Sequence, residues 1–224
     1  FGAGASGVST NDFTVEAWVR KDSTSDYRAI IGKGNGATSN SYQNAWFLVT
    51  DHSGNANSLK LDVWRGGSST ELTVGGAWSY SANTWYHIAL VRSGNTFTIY
   101  VDGTSFATGT STVSMDFTNS LYIGAGANAG PHELNWNGYI DDVRITKGLA
   151  VYTGNFTAPT SALTKTWSAS TGIAGNTDAS KVKLLIHGDG AKFTDSATSG
   201  TTHTITPTGS YHSHDHGGIA PAMT

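Results

Sequence analysis

The chain has 224 residues, a net charge of −3, 38% hydrophobic and 13% charged residues, 28 glycines and no cysteine. That charge supplies no cationic surface for nucleic acid or an anionic membrane, and no apolar run reaches the roughly eighteen residues that a membrane span needs. Low charge with abundant Gly, Ser, Thr and aromatic residues suits an all-β protein with many tight turns, and the absence of cysteine fits a chain made in a bacterial cytoplasm and then exposed outside.

Alternation predicts strands in chain order at 13–20, 27–33, 45–51, 58–65 and 70–74, with Gly34, Gly36, Gly66, Gly67, Gly75 and Gly76 as punctuation. Residues 83–103 (NTWYHIALVRSGNTFTIYVDG) give the clearest pattern. Tyr86, Ile88 and Leu90 share one face of a first strand, and Phe97, Ile99 and Val101 share one face of a second. Ser93, Gly94 and Asn95 form the turn between them, and Asp102 with Gly103 signals another, so the pair reads as a hairpin with one buried face. Further strands are predicted at 105–107, 120–124, 138–145, 182–187 and 202–206. No segment has a helical period. Short strands at this spacing predict an all-β antiparallel sandwich.

Three of these segments carry a resemblance. Residues 12–19 (DFTVEAWV), the hairpin at 83–103 and residues 138–145 (GYIDDVRI) resemble the early, central and closing strands of laminin-G-like, concanavalin A-like jelly-roll domains. Residues 146–160 (TKGLAVYTGNFTAPT) resemble the tail that follows such copies in structural proteins of tailed bacteriophages. The resemblance spans roughly residues 8–163. It implies a jelly-roll module that binds or builds and does not catalyse. Its implied setting is a fibre, tail or decoration protein on the virion surface, outside the cell. The implied partners are virion proteins or further copies in a homo-oligomer, with cell-surface glycans as targets. The alternative is a carbohydrate-binding module or adhesin of a secreted bacterial protein.

Domain organisation follows from the same comparison. Residues 1–163 are expected to form the jelly roll without its first strands, and 164–180 have the composition of a linker. Residues 178–224, with KVKLLIHGDG at 181–190, resemble the family's opening strands. They either complete this sandwich or begin a second copy.

Candidate site residues form four groups. Glu16 and Arg144 lie on the early and closing strands and are expected to form a structural ion pair, since a buried charge must be neutralised. Asp141 and Asp142 are adjacent, so a regular strand would point them to opposite faces, and Glu16 is alone on its strand. This is not the same-face pair of acids that glycosidases use. Calcium is the ion the resemblance implies; Asp141 and Asp142 are its candidate ligands, or else they accept loop amides. Trp136 lies in a Gly-rich loop with His132 and Asn135, and Trp78 lies in a similar setting. These four read as a glycan-contacting rim, or as rings capping the sandwich edge. His212, His214 and His216 alternate, so an extended chain would place all three on one side. They resemble the His-x-His transition-metal sites of trimeric phage fibres; the alternative is a solvated turn.

Overall fold

A computed structural model describes residues 11–24, 26–34, 44–51, 57–65, 70–117, 120–126, 134–188, 194–197, 203 and 205. Two antiparallel sheets form a sandwich. The first contains β1 (Phe13–Lys21), β6 (Trp85–Ser93), β7 (Thr96–Val101), β8 (Thr104–Thr110), β10 (Gly138–Lys147) and β11 (Val182–Ile186), in the order β11-β10-β1-β6-β7-β8. The second contains β2 (Arg28–Lys33), β3 (Ala45–Thr50), β4 (Ser58–Trp64), β5 (Thr70–Ala77) and β9 (Leu121–Ile123), in the order β5-β4-β3-β2-β9. A 3-10 turn at Ala179–Lys181 precedes β11.

The period-two pattern decides which residues meet between the sheets. Val15, Val19, Ile88, Leu90 and Ile99 from the first sheet pack against Trp46, Leu48, Leu61, Val63 and Val74 from the second. The β6–β7 hairpin turns at Gly94 with φ of 58°, a left-handed conformation that glycine adopts without a Cβ penalty. Arg92 folds back beside this turn, donating to the carbonyls of Gly94 (2.8 Å) and Val113 (2.7 Å).

The outer face of the first sheet is also buried over most of its length. Past β10 the chain bends at Gly148, with φ of 77°, and a covering segment crosses that face. Val151, Tyr152 and Phe156 pack onto Ala89, Val91 and Tyr100, with Leu149, Trp167 and Ile173 alongside. The rings of Tyr152 and Phe156 stack at 3.6 Å and 6°. Residues 164–180, linker-like in composition, are folded here. Trp167 and Asn176 exchange backbone hydrogen bonds of 2.9 Å, and the Trp167 indole donates to the Ala174 carbonyl at 2.8 Å. This arrangement buries β1 on both faces, so its polar outward residues must find partners within the protein.

β11 extends the first sheet by pairing antiparallel with β10, through Val143 with Ile186, Arg144 with Leu185 and Ile145 with Leu184. Beyond it, Asp195 accepts from the Leu185 amide (3.2 Å), and the Ser196 amide donates to the Leu185 carbonyl (2.8 Å). Of the strand predicted at 202–206, only residues 203 and 205 are described, and Ile205 packs against the main core.

Candidate functional site

Glu16 is the centre of the covered face. The β1–β10 register places it opposite Arg144, and the β1–β6 register sets Trp18 beside His87. Arg144 donates to Glu16 Oε1 through Nε (2.9 Å) and Nη2 (2.7 Å). Tyr152 donates to Oε2 at 2.5 Å, and His87 Nε2 lies 3.2 Å from the same oxygen. Burial pushes the Glu16 carboxyl pKa upward. The Arg144 charge, His87 and Tyr152 outweigh it and hold the group down at about 2. Burial and the adjacent Glu16 charge raise the Tyr152 phenol far above its ordinary value, so it keeps its proton and donates. His87 is wholly buried among Trp18, Tyr152 and Phe156, and its Nδ1 has no partner among the described residues. The tautomer that donates from Nε2 to Glu16 leaves only a lone pair at Nδ1, the cheaper atom to orphan.

Asp141 and Asp142 sit where the β1–β10 register shifts, and Asp142 has φ of 49°. Asp141 accepts from the amides of Asp142 (2.6 Å) and Gly188 (2.7 Å). Asp142 bonds His187 Nδ1 and accepts the Leu163 amide at 3.2 Å. Burial raises the Asp142 carboxyl pKa, against the His187 bond. These acids tie β10 to the end of β11 and to the covering segment. Among the described residues no three of His, Cys, Asp and Glu are grouped to hold a metal ion. His212, His214, His216 and His132 lie outside the described residues.

Of the two readings of Trp78, an exposed rim ring or a ring capping the sandwich edge, its burial speaks for the second. Trp78 is 7% exposed, stacked on Tyr80 at 4.6 Å and edge-on to Tyr86 at 5.1 Å. Trp78 belongs to the main core, and through Tyr80 it borders a second buried ionic centre. Lys21 pairs with Asp51 at 2.5 Å, donates to Tyr80 Oη (3.0 Å) and Thr50 Oγ1 (3.1 Å), and bonds the Asp26 carbonyl. Burial lowers the Lys21 pKa despite the Asp51 charge. Trp136 lies at the same end, half-buried, 5.9 Å from the Lys21 ammonium. Its indole N–H is shared between the carbonyls of Arg20 and Tyr139, each at 3.2 Å. Asn135 beside it is exposed.

Two further features were not anticipated. A cavity of about 180 Å³ lies between the covering segment and Arg144, lined by Tyr152, Pro159, Ser161, Leu163 and Trp167. It is smaller than the usual small-molecule pocket of roughly 300–1,000 Å³. The other feature is a row of half-buried side chains, Arg20, Trp85 and Tyr139, at the end of the outer face. The alternation of β1 and β6 carried the signal for it, because Arg20 and Trp85 continue the outward series of Trp18 and His87.

The family profile described as the concanavalin A-like lectin/glucanases superfamily matches residues 3–153. No curated protein matches the chain. Among solved structures, a Bacteroides ovatus protein provisionally named a carbohydrate binding protein is 22% identical with a TM-score of 0.60, over 88% of this chain and 53% of its own. The chain thus spans about half the length of that protein. The CBM40 module of a Ruminococcus gnavus IT-sialidase is 14% identical with a TM-score of 0.51, covering 63% of this chain and 78% of the module. A leech intramolecular trans-sialidase is 15% identical with a TM-score of 0.51, covering 63% of this chain and 22% of the enzyme. At such identities the likeness is one of fold. With two antiparallel sheets in a sandwich and a profile match over residues 3–153, the chain belongs to the concanavalin A-like lectin/glucanases superfamily.

Proposed function

We propose that this chain is a non-catalytic, carbohydrate-directed adhesion module, carried on a virion surface in a fibre, tail or decoration protein. The observation that carries the non-catalytic part is the condition of the first sheet's acids. A glycosidase acid needs access to the glycosidic oxygen, a raised pKa and a second carboxylate facing the same bond. Glu16 is 1% exposed, held down at about 2 and bound by Arg144, His87 and Tyr152. Asp141 and Asp142 are taken up by backbone amides and His187.

Carbohydrate direction is supported by the family and by the name of the Bacteroides ovatus protein. The resemblance of residues 146–160 to phage structural proteins supports the virion setting. In a homo-oligomer, weak sites gain avidity by repetition, and His212, His214 and His216 would gain a fuller metal-ligand set around an axis. Trp136, Asn135 and His132 are the rim contacts of this reading.

A glycan array probed with the purified chain, followed by a reducing-sugar assay on each bound polysaccharide, tests the reading. Binding without release of sugar is expected. Retention of no glycan would overturn carbohydrate direction, and release of sugar would replace the module with a glycosidase. The similarity to the Bacteroides ovatus protein over 88% of the chain favours a second reading, a module of a secreted bacterial adhesin. Antibody labelling of phage particles separates the two settings.

A further inference from the structure

We propose that the row Tyr139–Arg20–Trp85, with Asn83 at its edge, is a further glycan-contact surface beside that rim, and that it selects sugars bearing a carboxylate. This rests on the carbohydrate-directed reading and extends it to the outer face of the first sheet. Register puts the three side chains in line, since Arg20 on β1 is opposite Tyr139 on β10 and Trp85 on β6. The next row inward is closed to solvent, with Trp18 1% and His87 0% exposed. At the end row the cover stops, leaving all three residues half-buried and Asn83 exposed.

The row is organised before any ligand arrives. The Arg20 guanidinium lies 4.9 Å from the centre of the Tyr139 ring, and its Nη2 donates to Asn83 Oδ1 at 2.8 Å. The Trp85 and Tyr139 rings are 6.3 Å apart and tilted by 51°. Arg20 is set apart from the other arginines. Arg28, Arg65 and Arg144 each pair with a carboxylate, and the buried Arg92 donates to carbonyls. Among the described residues Arg20 meets no carboxylate, and its Nε and Nη1 donate to none of them.

That combination matches an acidic sugar. The apolar face of a pyranose stacks on an indole, and ring hydroxyls bond an exposed amide such as that of Asn83. A guanidinium with two unused donors takes a carboxylate in a bidentate fork. Because Tyr139 and Asn83 already fix the guanidinium, little rotamer freedom is lost on binding.

The test uses an array of uronate-bearing, sialate-bearing and neutral oligosaccharides, with affinities of the retained glycans measured by titration calorimetry. The wild-type chain is expected to prefer glycans with a carboxylate. Arg20→Gln is expected to weaken them by about tenfold or more while leaving neutral glycans unchanged, and Arg20→Lys to recover only part of the loss. Trp85→Ala is expected to weaken every glycan. Thermal melting of each variant checks the fold, and the Trp85 indole resonance of the wild-type chain, followed by NMR during titration, reports contact without any substitution. If the wild-type chain retains glycans, but the variants bind them equally and the indole resonance stays still, the site is elsewhere and the carbohydrate-directed reading survives. If only neutral glycans are retained, the selectivity for a carboxylate is wrong. If none is retained, the parent reading fails and takes this site with it.

Discussion

Two arginines on one sheet face stand in opposite circumstances. Arg144 lies under the covering segment, 4.0 Å from the Trp167 ring, with its charge met by Glu16 and its Nη1 by the Thr164 carbonyl. Arg20 lies where the cover ends, near Tyr139, with an amide and, among the described residues, no carboxylate. Both combine a guanidinium with an aromatic ring, so side-chain chemistry alone does not separate structural from binding roles. Solvent separates them, because burial compels internal neutralisation and exposure leaves the charge for a partner.

The largest expected effect removes the buried anion. Glu16→Ala strands Arg144 and should cost about 3–5 kcal/mol in denaturant unfolding. The double variant Glu16→Ala/Arg144→Met should be less destabilised than the sum of its singles; strict additivity would mean the two residues are not coupled. Acid probes the same centre. The Glu16 pKa is depressed in the folded state, so its contribution is complete above its ordinary value of 4.5 and is lost as pH falls toward about 2. Unfolding free energy should drop by about 3 kcal/mol across that window, and the drop should flatten in Glu16→Gln. An unchanged acid profile in that variant would assign the acid sensitivity to other groups.

Tyr152→Phe deletes one donor to Glu16 while keeping the stacked ring, and a loss of about 1–2 kcal/mol is expected. The smallest effect belongs to the exposed end. Arg20→Gln should shift stability by no more than about 0.5 kcal/mol. A large loss there would make Arg20 structural and erase the contrast.

The strands were legible because each sheet has one strictly alternating inner face, as with Ile88 and Leu90 opposite Ile99 and Val101. The Glu16–Arg144 contact was anticipated from strand placement and the cost of an unpaired buried charge. The cover was not. Residues 164–180 fold through isolated bridges and a few side chains, above all Trp167 and Asn176, and Gly172 with φ of 71° fits closely against the Asn155 carbonyl. None of these leaves a periodic trace. Trp78 stayed open between rim and cap for a related reason, since a Gly-rich neighbourhood does not reveal that its ring stacks on Tyr80. Trp85 lies within a strand pattern, but alternation reports which face a residue takes and not where a covering segment stops.

The order β11-β10-β1 has a mechanical consequence. β1 and β11 both run antiparallel to β10, so they run in the same direction on either side of it. Tension applied before Phe13 and after Ile186 pulls these outer strands in opposite senses along their length. The load then falls on the two ladders as shear, distributed over many hydrogen bonds at once, rather than opening them one at a time from an end. A module tethered at one side and gripping a surface at the other would resist drag by this route.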